Sequence, residues 1–129
     1  MGVSLGPDYT NLKLEQTEEL LRPFRRVAGA STPRNGWVRA IRDALGLSAM
    51  QLAARLNVTR QSIEDLERNE ASGKITLERL TKLAGAMNCR VVYALVPEQP
   101  LAEIQRDRAH TIARRQLEPV SHSMKLEAQ

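Results

Sequence analysis

The chain has 129 residues and a formal net charge of +4, from 19 Lys+Arg against 15 Asp+Glu; that length suits one domain with flanking arms, and that charge permits a nucleic-acid partner without establishing one. Aromatic residues make up 3%, too few for the rows of stacking rings that single-strand and RNA binders display. Cys89 is the only cysteine, which excludes an intrachain disulfide and fits a cytoplasmic, nucleoid-associated protein; the sequence has no apolar run of roughly 18 residues and no secretory pattern, so no membrane association is expected.

Residues 1–9 lack periodicity and are expected to be disordered. Residues 10–28 are expected to be helical, with Leu14, Leu20, Leu21 and Phe24 as an apolar stripe that Pro23 breaks or kinks. Residues 28–36 read as a linker, with Pro33 and Asn35-Gly36 as turn signals. Trp37, Ile41 and Leu45 recur every four residues and predict the buried face of a helix over 37–45, which places Trp37 in the core. Gly46 ends that helix in the left-handed conformation. Ser48 caps the next helix, and Gln51 completes a capping box. Leu52, Ala53 and Leu56 are expected to face inward, Ala53 being small where two helices cross.

Asn57 fits a turn position that requires positive φ, with Val58 packed under the turn and Thr59 capping a third helix whose inner face is Ile63 and Leu66. Residues Glu70 to Lys74 read as a loop. Thr76 caps a fourth helix with Leu77, Leu80, Leu83, Ala84 and Met87 as its stripe. Arg90 to Val96 is rich in β-branched and aromatic residues and predicts a strand that Pro97 stops. Cys89 beside it is expected to be a small buried apolar group. Residues 100–118 predict a peripheral helix, partly apolar at Leu101, Ile104 and Ile112, with Arg106, Arg108, Arg114 and Arg115 on a solvated face or a partner surface. The last ten residues carry no ordering signal.

This gives an N-terminal arm and helix (1–36), a helix-turn-helix domain with a dimerisation strand (37–97), and a C-terminal helix with a tail (98–129). The middle segment holds nine basic and six acidic side chains, so most of the positive charge lies there. Two short helices around a tight turn also occur in plain bundles, but here several features agree: the Ser48 start, Ala53, Asn57, Val58, the Thr59 cap, and Ile63 and Leu66 at fixed offsets, with Arg42 and Glu67 as a further match. That set resembles the phage-repressor class of regulators, the Cro- and cI-like proteins of the XRE type, over residues 37–88. The resemblance implies a mainly α, lambda-repressor-like bundle that binds duplex DNA as a dimer on inverted repeats. Ala49 stands where many members carry a phosphate-binding Gln, and Asn57 where Gly is usual.

A longer stretch, Pro33-Arg34-Asn35-Gly36-Trp37-Val38-Arg39-Ala40-Ile41-Arg42 with Ile75-Thr76-Leu77 and Val91-Val92-Tyr93-Ala94-Leu95-Val96-Pro97, resembles the regulators called mobile mystery protein A. That resemblance implies an antitoxin-like or autoregulatory role beside a Fic-domain protein.

Arg60, Gln61 and Asp65 fall on the outer face of the third helix. Arg holds guanine O6 and N7 in bidentate fashion, Gln does the same to adenine N6 and N7, and Asp accepts from cytosine N4; the bland alternative is a solvated polar face. Ser48, Gln51, Thr59 and Ser62 are phosphate candidates at helix N-termini, although capping alone explains Ser48, Thr59 and Gln51. Asn69, Ser72 and Lys74 follow the third helix and are further phosphate candidates, Lys74 equally an ordinary surface lysine. In the resembled family the pair matching Arg42 and Glu67 is buried and structural. No catalytic constellation, cofactor loop or metal-ligand spacing occurs, and His110 and His122 stand too far apart to form one.

A lone strand is unstable. The expectation is therefore a homodimer in which residues 90–96, through Val91, Val92, Tyr93 and Leu95, form a two-stranded ribbon. The function expected is a non-enzymatic, sequence-specific regulator, a dimeric autorepressor of a toxin–antitoxin-like operon. The alternatives are a protein-binding antitoxin that masks a Fic-type toxin, and an interaction module without DNA binding.

Overall fold

The computed structural model describes residues 7–117; the expectations for residues 1–6 and 118–129 lie outside them. The described residues form six helices: α1 (Pro7–Arg25), α2 (Trp37–Ala44), α3 (Ala49–Leu56), α4 (Arg60–Ala71), α5 (Leu77–Ala86) and α6 (Leu101–Leu117). They fall into two compact units. One comprises α2 to α5 between Gly29 and Tyr93; the other pairs α1 with α6 and the segment from Ala94.

Local chemistry starts three helices of the four-helix unit, α3, α4 and α5, and stops all four. Ser48, Thr59 and Thr76 accept the backbone N–H of Gln51, Ser62 and Arg79 through their hydroxyls, and Ser48 and Gln51 form the expected capping box. Gly46, Asn57, Gly73 and Asn88, with φ of 67°, 55°, 78° and 58°, turn the chain out of α2, α3, α4 and α5. At α5 the Cys89 and Asn88 N–H groups bond Ala84 and Gly85 oxygens at 2.8 and 3.1 Å, which satisfies carbonyls the helix leaves open.

The start of α2 is different. Its N-cap is Gly36, without a side chain, and the carboxylate of Glu70 accepts the Trp37 and Val38 N–H groups at 2.8 and 2.9 Å. A Cβ on Gly36 would stand 2.7 Å from Glu70 Oε1, so the glycine admits the carboxylate to the helix end. Glu70 is thus not a loop residue, because α4 runs on to Ala71.

Val38, Leu52, Ala53, Ile63, Leu83 and Met87 form the core, with Ile41, Leu47, Leu56, Leu66 and Leu80 packed against it. Burying each large aliphatic side chain contributes about 2 kcal/mol. Trp37 and Leu77, both expected in the core, are outside it, 52% and 50% exposed. Each is the first residue of its helix, and helical side chains lean back over the preceding turn, which neither has. Val38 takes the buried place instead. Leu45, beyond the last helical residue, and Val58, beyond the turn, are also exposed. Cys89 is exposed rather than buried, because the chain has already left α5.

The expected strand over Arg90–Val96 is absent; the described residues contain no strand. The backbone there makes no backbone–backbone hydrogen bond among the described residues, and Val92, Tyr93 and Leu95 are 68%, 66% and 82% exposed. The physical reason is that strand composition forms a ladder only against another strand, and the described chain offers none.

In the second unit α1 begins at Pro7, so residues 7–9 are helical. Pro23 does not break α1; it lies in the last turn, and the helix ends two residues later at Arg25, short of the expected end at residue 28. Leu21 is buried and Leu14 and Phe24 partly so, while Leu20 points outward. Glu18 organises this unit. It takes Arg25 in a two-bond pair at 2.8 and 3.0 Å and accepts the Leu101 N–H at 2.8 Å, so a carboxylate from α1 caps α6. The Arg25 guanidinium and the Leu101 N–H hold the Glu18 carboxyl below its ordinary pKa.

Candidate nucleic-acid interface

α3, the Asn57 turn and α4 form the motif the sequence predicts. The Val58 N–H bonds the Ala53 oxygen at 3.0 Å, and left-handed Asn57 supplies the reversal. Ile63 of α4 and Leu52 of α3 are fully buried against each other's side of the unit, which turns the opposite edge of α4 outward.

Arg42 and Glu67 fix how α4 sits on α2. Arg42 Nε and Nη2 donate to Glu67 Oε2 and Oε1 at 2.7 and 3.1 Å, and Arg42 Nη1 donates to the Leu47 oxygen at 3.1 Å. Their side chains are 13% and 8% exposed. The Glu67 carboxylate raises the Arg42 pKa above its already high ordinary value, so this guanidinium stays charged.

The residues singled out from sequence lie on the exposed side of this motif. Ser48, Gln51, Thr59, Arg60, Gln61, Asp65, Asn69 and Lys74 are exposed and Ser62 is half-buried. Ser48 and Gln51 spend part of their capacity on capping, and the Thr59 hydroxyl accepts the Ser62 N–H at 3.1 Å while donating to Ser62 Oγ. The Asn69 oxygen accepts the Lys74 N–H at 2.7 Å and so ties the post-α4 turn to the end of α4.

Along the outer edge of α4 the side chains are paired one turn apart. Arg60 Nε meets Glu64 Oε1 at 3.0 Å, and Gln61 Nε2 donates to Asp65 Oδ1 at 3.0 Å. Asp65 also accepts from Arg68. Because a carboxylate only accepts, the Gln61 amide must present its nitrogen to Asp65 and its oxygen elsewhere. Such exposed helical pairs contribute about 0.3–0.5 kcal/mol. A bidentate contact to a base edge is worth about 1–3 kcal/mol, so the pairs orient these side chains without locking them.

Sequence reasoning missed Glu64 as the partner of Arg60 and Glu70 as the cap of α2. The four-residue spacing from Arg60 was a visible signal for Glu64. Nothing local marks Glu70, whose partners lie 33 and 32 residues away.

Residues 38–93 match the helix-turn-helix family model. The matched domain lies within the Gly29–Tyr93 unit and includes neither α1 nor α6. No curated protein and no solved structure shows a significant match to the chain. Helix-turn-helix domains are DNA-binding modules of transcriptional regulators, in which the second helix of the motif meets the duplex; in this domain that helix is α4. Among the described residues no group of three or more His, Cys, Asp or Glu is placed to hold a metal, and no helix is long and apolar enough to cross a membrane.

Proposed function

We propose that the helix-turn-helix domain binds duplex DNA in a sequence-specific manner and that the protein represses transcription. The observation that carries this reading is the polar, outward edge of α4, held by a buried opposite face and by the Arg42–Glu67 pair. Arg60 and Gln61, in the first turn of α4, meet base edges. Ser48, Gln51, Thr59, Ser62, Asn69 and Lys74 meet flanking phosphates, and Asp65 positions Gln61 or accepts from a cytosine.

The repressor acts as a two-fold dimer on an inverted repeat. Support comes from the unpaired backbone of residues 90–96 with Val92, Tyr93 and Leu95 exposed, and from an apolar groove of about 380 Å3 lined by Trp37, Ile41, Leu80, Met87 and Val92. Pairing Val91, Val92, Tyr93 and Leu95 with the same segment of a second copy covers both. The resemblance to mobile mystery protein A makes the controlled operon a toxin–antitoxin-like one with a Fic-domain partner. A protein-masking role alongside repression is favoured by Leu12, Leu20, Ile104 and Ile112, which are exposed on α1 and α6.

Selection of bound duplexes from a random pool tests the reading. The enriched set is expected to be an inverted repeat whose half-sites lie about 34 Å apart, one duplex turn. A pool that stays random after successive rounds would contradict sequence-specific binding.

A further inference from the structure

We propose that Arg39 and Arg68 form a subsite for a backbone phosphate of the bound duplex. The inference rests on reading α4 as the groove-entering helix and adds two residues that the motif itself does not assign. Arg39 comes from α2 and Arg68 from α4, and both line one cleft of about 290 Å3 together with Asn35, Glu64 and the mostly buried Arg42–Glu67 pair.

The partners within the cleft decide which cations are available. Arg42 and Glu67 are committed to each other, and Glu64 holds Arg60. Arg39 stands 3.9 Å from Asp43 with its side chain 54% exposed, a loose contact. Arg68 is 66% exposed and meets Asp65, whose carboxylate it shares with Gln61. Exposed ion pairs of this kind contribute little and exchange readily.

The position along α4 supplies the ligand. Arg60, Glu64 and Arg68 recur every four residues and share one stripe of the helix. Eight residues advance a helix by about 12 Å, more than the roughly 8.5 Å depth of the B-form major groove that its N-terminal turn enters. With Arg60 among base edges, Arg68 reaches the strand that bounds the groove, where the available group is a phosphodiester. Two guanidinium forks from different helices suit its anionic oxygens. On binding, the phosphate replaces Asp65 and Asp43 as their partner.

The test measures affinity of the full chain for the selected duplex and for an unrelated duplex between about 50 and 200 mM salt. Arg39→Gln and Arg68→Gln are compared with wild type and with Lys82→Gln, which removes an exposed charge from α5. Each arginine variant is expected to make the slope of log affinity against log salt shallower by about 0.9. Each is also expected to weaken both duplexes by the same factor, with base preferences unchanged and the Lys82→Gln slope at wild type. Three results overturn the subsite: wild-type slopes in both arginine variants, the same loss of slope in Lys82→Gln, or a changed base preference at one operator position. If wild type binds no duplex at all, the reading of α4 fails with it, a result distinct from unchanged slopes in a protein that binds.

Discussion

Glu67 is the one buried charged residue among the described residues, and its partner Arg42 is nearly so. A buried ion pair need not add net stability, but deleting one member leaves the other charge desolvated and alone. Glu67→Ala is therefore expected to destabilise the protein by about 3 kcal/mol, read as a lower urea midpoint; a midpoint equal to wild type would contradict the structural role. This pair was legible through the resemblance to the phage-repressor class, whose matching pair is buried, and not from the spacing of the two residues. Trp37, Leu77 and Cys89 were misplaced, since an apolar stripe does not reveal whether its first member precedes the packed turn, or where the chain leaves the helix. The polar edge of α4 was legible as well, since Arg60, Gln61 and Asp65 alternate with the inward Ile63 and Leu66.

At the scale of elements, the helix boundaries of the central unit were readable wherever the chemistry is local. Ser48, Thr59 and Thr76 each cap an N–H three residues ahead, and Gly46 and Asn57 end their own helices. The two carboxylate caps were invisible, because Glu70 and Glu18 act on helix starts 33 and 83 residues distant. Glu18 makes the start of α6 sensitive to acid. Its carboxyl is held below the ordinary value of 4.5 in the folded chain, first by Arg25 and then by the Leu101 N–H. A depressed folded pKa gives stability that is present above the unfolded value and is lost as pH falls through the folded one. Amide exchange at Leu101 to Ile104 is thus expected to accelerate in wild type as pH drops below about 4.5, after correction for intrinsic rates. Glu18→Gln is expected to show faster corrected exchange already at pH 6 and less change on acidification. Equal protection in both proteins at pH 6 would show that the carboxylate does not hold this helix end.

At the scale of the whole molecule, the helical class was legible, but the strand read from composition is absent from the described residues. Arg90 to Val96 has strand composition, yet a ladder needs a second strand, and whether a second copy supplies it is not written in one chain. If the segment pairs across a dimer, Val92→Pro removes a ladder donor and blocks the register. Light scattering at micromolar concentration is expected to return a dimer for wild type and a monomer for Val92→Pro; a dimer in both would move the interface elsewhere.

The account as a whole depends on the outward edge of α4 reading bases. The most direct measurement is retardation of the selected duplex by the full chain carrying Arg60→Ala and Gln61→Ala, two exposed changes that leave the core intact. The account predicts wild-type helicity and a loss of specific affinity of at least roughly 30-fold, the combined effect of two base contacts. A folded double variant that retards the duplex as wild type does would contradict it.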